Sequence, residues 1–152
     1  MSYDDIIESY KNPTILRAII MQESAFNAYA IRYEPAWNYL YIDIQDLIKS
    51  LRITLATEIQ LQKMSWGLGQ IMGSVARELG YDGILTKLIE PELNIQFLDK
   101  FVQKLELHTR TAEELFSCYN GGLGALSKVK DGKFPNQAYV DSAMKHYQSF
   151  GG

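Results

Sequence analysis

Side chains able to do proton-transfer or covalent chemistry are sparse in this 152-residue chain. It carries one cysteine, Cys118, and two histidines, His108 and His146. One thiol can neither form an internal disulfide nor build a cysteine zinc site. Two histidines far apart in sequence are a poor start for a metal cluster. A Ser-His-Asp or Cys-His enzyme would have to recruit one of them. The simplest reading puts both histidines at the surface and Cys118 in a packed interior. Carboxylates are left as the main candidate catalysts, with no metal or cofactor implied.

Glu23 is the most informative carboxylate. Leu16, Ile19 and Ile20 precede it at i−7, i−4 and i−3, so it continues the apolar stripe of a helix. Ionisation in apolar surroundings is costly, which favours the protonated form. A carboxylic acid that keeps its proton near neutral pH is what a general acid requires. The competing reading leaves Glu23 at a frayed helix end, in water. A second carboxylate, Glu34, lies in Ile31-Arg32-Tyr33-Glu34-Pro35. Two carboxylates across a cleft suit glycoside cleavage, whereas pairing with Arg32 would only order the loop. Trp37, Tyr39 and Tyr41 make the region aromatic, to stack on sugars or to fill a core.

Two further stretches concentrate special residues. Trp66-Gly67-Leu68-Gly69-Gln70-Ile71-Met72-Gly73 allows a tight loop with exposed backbone amides. No Lys-Ser/Thr pair follows it, so it is not a phosphate loop. Tyr119-Asn120-Gly121-Gly122 reads, by itself, as a helix-ending turn.

The elements that must position these residues read as helices nearly throughout. The length suits one domain, and 47% apolar with 22% charged residues describes a globular protein. Ser2 and Asp5 resemble a capping box opening a helix to about Tyr10. Asn12-Pro13 starts the helix that carries Glu23. Apolar spacing over Asp43–Met64 is helical, with a break at Thr54 or Thr57. Further helices are expected over Ser74–Leu79 and Pro91–Leu107, from Thr111 to Cys118, and from Pro135 to about Tyr147. Loops at 25–42, 65–73 and 119–123 read as irregular. A net charge of −3 gives no basic footprint, so nucleic acid is not an expected partner. No stretch approaches the length of a membrane span, and stable membrane insertion is not expected.

Taken together, three segments change the reading. Gln22-Glu23-Ser24-x-Phe26-Asn27, Gly67-Leu68-Gly69-Gln70-Ile71-Met72 and Tyr119-Asn120-Gly121-Gly122 follow one another in that order. The succession resembles the lytic transglycosylase family with the lysozyme-like fold, the soluble lytic transglycosylase and goose-type lysozyme group. Glu90-Pro91-Glu92-Leu93-Asn94-Ile95 and Tyr139-Val140 resemble two further family motifs. The matches run from about residue 13 to 145.

The resemblance implies a mainly α, lysozyme-like helical domain with little or no β-structure. It implies cleavage of peptidoglycan between N-acetylmuramic acid and N-acetylglucosamine, without water, leaving a 1,6-anhydromuramoyl end. Glu23 would be the acid and then the base. Ser24, Gly67, Leu68, Gln70, Met72, Tyr119, Asn120 and Tyr139 would surround the carboxyl and the substrate. No cofactor or metal is implied.

The departures carry information too. Ala30-Ile31-Arg32 stands where the family has Ala-Val-Ser, so Arg32 could bind a muramoyl or peptide-stem carboxylate. Gly69 replaces a Met, and Gly73 stands where Pro usually follows. The form Arg-Tyr-Glu-Pro resembles a phage-borne subgroup. Residues 1–152 are expected to be a single domain with an atypical insertion at about 35–64, adding helical packing, and to act as a monomer. Glu34 leaves open an inverting hydrolase, a lysozyme in the strict sense. A non-catalytic glycan-binding module of the same fold is a further alternative. No secretory signal is visible, so the expectation is cytoplasmic synthesis followed by phage-mediated release to the wall, as an endolysin, or carriage in a virion.

Overall fold

The computed structural model describes residues 2–152. The chain runs α1 (Tyr3–Glu8), α2 (Pro13–Ser24), β1 (Ile31–Tyr33), α3 (Gln45–Leu51), α4 (Leu55–Gln62), β2 (Met64–Trp66), β3 (Ile71–Met72), α5 (Gly73–Glu78), α6 (Pro91–Glu106), α7 (Ala112–Gly121) and α8 (Gln137–Ser149). Short 3-10 helices lie at Leu85–Ile89 and Leu123–Lys128. The fold is mainly α, as expected.

The caps explain most boundaries. Ser2 accepts the Asp5 amide while Asp5 accepts the Ser2 amide, the expected reciprocal box. Thr54 accepts the Thr57 amide, so the break inside the 35–64 stretch falls at Thr54. Thr111 accepts the Glu114 amide, but Glu114 reaches back to Arg110 rather than to Thr111. Asn12 precedes α2 without a side-chain cap, because its side-chain amide donates to Glu106, while its carbonyl accepts the Leu16 amide. Pro135 does not open α8, which begins at Gln137. Asn136 is held before it by Ser117 and Asn120.

Helix α6 is central, burying Ile95, Phe97, Leu98, Val102 and Leu105. Helices α2 and α7 each pack against both α6 and α8. Leu16, Ile19 and Ile20 on α2 are fully buried. Each such side chain stabilises by about 1.5–3 kcal/mol, which fixes the rotation of α2 and hence the direction of Glu23.

Two stretches that read as irregular in sequence contribute to a small antiparallel sheet of order β1-β2-β3. Strands of two or three residues are too short to imprint an alternating pattern. Arg32 pairs with Ser65, and Ser65 with Met72. That rung sends the three side chains to one face.

The 35–64 stretch is joined to the body by a buried charge cluster. Arg77 on α5 donates from Nε and Nη2 to the two carboxylate oxygens of Glu58 on α4, at 2.7 and 3.0 Å. Its Nη1 donates to the carbonyls of Tyr81 and Gly83. Gln62 donates to Glu58 and closes both backbone groups of Tyr41. Both members of the ion pair are almost wholly inaccessible. Gly73 permits the contact between α4 and α5, since a Cβ there would lie 2.4 Å from the Leu61 carbonyl oxygen.

Removing one partner of a buried pair leaves an uncompensated charge. Glu58→Ala is expected to cost about 3–5 kcal/mol, read as a lower urea midpoint at unchanged m-value. The double variant Glu58→Leu with Arg77→Met is expected to recover most of that loss.

Candidate active site

The carboxyl of Glu23 emerges from the last turn of α2. The chain then reverses through Ala25 and Phe26, both at positive φ (49° and 63°). Glu23 lines a cleft of about 670 Å³. It is half-buried rather than frayed into water. Tyr139 on α8 donates its hydroxyl hydrogen bond to Oε1 of Glu23. A neighbouring link from Ser142 to Gln22, 2.7 Å, pins the same faces of α2 and α8 together.

Burial raises the pKa of Glu23 above its ordinary value. The Tyr139 hydrogen bond and the charge of Arg32 oppose that rise without cancelling it. The same surroundings act on the phenols. Burial and the nearby Glu23 charge push Tyr139 and Tyr119 far up. Both tyrosines therefore remain neutral donors at any physiological pH.

The turn between β2 and β3 is the second wall. Gly67 takes a φ of +64°, and a Cβ there would lie 2.6 Å from the Asn94 amide nitrogen. The three carbonyls of this turn each receive a side-chain donor. Gln70 donates to Gly67, Ser24 to Leu68 at 2.7 Å, and Tyr119 to Gly69 at 2.5 Å. Asn94, fully buried, accepts the Gly69 amide and donates to the carbonyls of Trp66 and Leu88.

The structure brings together on the cleft surface Glu23, Arg32, Glu34, Gln70, Met72, Tyr119 and Asn120. Four expected site residues do not line it. Leu68 is fully buried in the core. Gly67 shapes the turn, and Ser24 ties α2 to it. Tyr139 reaches the cleft only through Glu23. The amide of Gln70 is spent internally on Ala30, Gly67 and Ser65, so it braces the wall it lines. Glu34 is bonded to Nε of Arg32, as the loop-ordering reading required, yet both face the cleft.

Residues the motifs did not single out also line it. Trp37 and Tyr39 come from the 35–64 stretch, Glu78 from α5 and Phe101 from α6. The Trp37 indole is fixed by Ser74 at 2.8 Å. Asn94 was named only within a motif. Its signal is the one that exposed Glu23, a polar residue on an apolar stripe with Leu98 and Leu105. Among the described residues, no group of His, Cys, Asp and Glu is arranged to hold a metal ion. No helix among them is long and apolar enough to cross a membrane.

A partly buried acid flanked by neutral donors, in a cleft walled by aromatic rings, can give a proton to a bound sugar oxygen and take one back. The family model described as the transglycosylase SLT domain matches residues 7–140. No curated protein and no solved structure matches the chain.

The raised pKa has a stability consequence of definite sign. Between the ordinary and the raised value, folded protein holds a proton that unfolded chain has released. Stability therefore falls as pH rises through that window and stays lower above it. Glu23→Gln cannot ionise. It is expected to melt higher than the wild type above the window, with the gap closing on the acid side, in calorimetry between about pH 4 and pH 8. A gap independent of pH would show that Glu23 ionises without strain.

Proposed function

The chain belongs to the transglycosylase SLT domain family, which makes it a lytic transglycosylase acting on peptidoglycan, and we propose that Glu23 is its catalytic acid and base. The observation that carries this reading is the half-buried Glu23 carboxyl, whose hold on its proton burial strengthens and which Tyr139 positions at the cleft.

The proposed steps are those of a single-acid transglycosylase, with Glu23 in the place of the acid. Protonated Glu23 gives its proton to the glycosidic oxygen between N-acetylmuramic acid and N-acetylglucosamine. The C1–O bond breaks, and the glucosamine leaves with its hydroxyl restored. The substrate's N-acetyl group stabilises the positive C1. Glu23, now a carboxylate, takes the proton of the muramoyl C6 hydroxyl as that oxygen bonds to C1. The product is a 1,6-anhydromuramoyl end, Glu23 regains its proton, and no water is consumed. Tyr139 holds the carboxyl in place through both steps. Tyr119 fixes the facing wall, while Met72 and Asn120 offer contacts to the sugars. Ser24, Gly67, Leu68 and Gln70 serve the substrate indirectly, by fixing the turn.

The single-acid chemistry is matched by one domain working as a monomer over residues 1–152, with the atypical 35–64 insertion supplying the Trp37 and Tyr39 wall. The Arg32-Tyr33-Glu34-Pro35 form supports a phage-borne enzyme that reaches the wall on release or within a virion. A second reading has its own support, because Glu34 lines the same cleft as Glu23. There Glu34 activates a water and the enzyme is an inverting hydrolase. Its bond to Arg32 argues for the first reading.

Glu23→Gln is expected to lower turnover by about 10²–10⁴-fold while the protein stays folded. Product masses from digested peptidoglycan should be those of anhydromuramoyl ends; reducing ends carrying an added water would replace this reading by the hydrolase. Glu34→Gln should retain the greater part of kcat, whereas loss comparable to that of Glu23→Gln would support the two-carboxylate mechanism.

Tyr139→Phe removes a bond that favours ionised Glu23. The alkaline limb of kcat/KM is expected to move to higher pH as kcat falls. An unmoved limb would separate Tyr139 from the acid.

A further inference from the structure

The charges lining the cleft are unequal. Glu23, Glu34 and Glu78 are carboxylates, and Arg32 is the one cation among the described residues that line it. Glu78 is already paired with Lys104 at 2.9 Å. Arg32 touches Glu34 through Nε alone, and no described hydrogen bond uses either Nη group. The Arg32 side chain is 68% exposed and that of Glu34 35%, so the carboxylate holds the guanidinium by its Nε edge and leaves both Nη groups without a described partner. An exposed pair of this kind adds little to stability. What the pairing does is orient a fork whose geometry suits a carboxylate.

Its place in the sheet is fixed as well. Arg32 shares a rung with Ser65 and Met72, both in the cleft. Its charge is near enough to act on Glu23. A fixed cation beside the acid bears on which glycosidic bond is cut. In the glycan taken here as substrate, alternate sugars carry a lactyl ether. That group is a free carboxylate on a peptide-free strand and an amide to a carboxylate-bearing stem otherwise.

Resting on the peptidoglycan reading above, we propose that Arg32, held by Glu34, sets the register of the glycan by pairing with the carboxylate borne by alternate sugars. With that carboxylate on Arg32, a muramoyl unit lies beside Glu23 in every productive complex. A one-sugar slip leaves Arg32 without its partner and brings the wrong sugar to the acid.

The test uses the full chain carrying Glu23→Gln, so that ligand is bound but not cut. Three muro-oligosaccharides of equal length are compared by calorimetry. One is peptide-free, one has its lactyl carboxylates converted to methylamides, and one bears intact stems. The peptide-free ligand is expected to bind about tenfold tighter than the methylamide, the size of one charge-assisted pair. Adding Arg32→Gln should erase that difference while binding of the methylamide is unchanged. If the stem-bearing ligand shows the Arg32-dependent gain and the peptide-free one does not, the stem is the source of the carboxylate. Discrimination that survives Arg32→Gln, or its absence for both carboxylate-bearing ligands, overturns the proposal while leaving the enzyme assignment standing. Failure of all three ligands to bind removes the peptidoglycan reading itself.

Discussion

The side-chain amide of Asn94 is the point from which the site is suspended. Sealed from water, it accepts one backbone amide and donates to two carbonyls around the β2–β3 turn. Leaving any of these groups buried without a partner costs about 1–3 kcal/mol, so the turn has one conformation. Its carbonyls then receive Ser24 from α2 and Tyr119 from α7. A single amide on the central helix thus sets the distance between the element that carries Glu23 and the wall opposite. The glycine at 67 follows from the same constraint, because Asn94 occupies the space a side chain would need.

Electrostatics at Glu23 is a balance that the fold tips. Burial drives the carboxyl toward its neutral form, and Tyr139 and Arg32 pull the other way. Burial prevails, so the carboxyl holds its proton more tightly than an exposed one would. The two phenols are locked neutral by the same burial. They can therefore donate in either protonation state of Glu23.

The helices were legible because their signals are local. Caps at Ser2, Thr54 and Thr111, and stripes on α2 and α6, lie within a few residues of what they determine. Glu23 was legible for the same reason. The sheet was not, since pairing Arg32 with Ser65 joins residues far apart in sequence through strands too short to show a period. Trp37 and Tyr39 stood out as aromatics near Glu34, but Glu78 and Phe101 did not, since the four meet only after folding. Motif neighbours misled in a consistent way. Ser24 and Leu68 adjoin residues of the cleft, but consecutive side chains point in different directions. Both serve the framework. The Glu58–Arg77 pair was invisible because its partners look like surface charges until α4 and α5 come together.

The hydrogen bond from Tyr139 to Glu23 joins positions 116 residues apart. Its consequence lies in biosynthesis. As the chain leaves the ribosome, Glu23 emerges 116 residues ahead of the phenol that donates to it. Until α8 has been made and docked on α2, Glu23 lacks both that donor and the packing on its far side. Closing so long a loop is entropically late in folding. The surroundings of Glu23 are therefore incomplete in any nascent chain that has not yet reached α8, whatever chemistry the carboxyl performs.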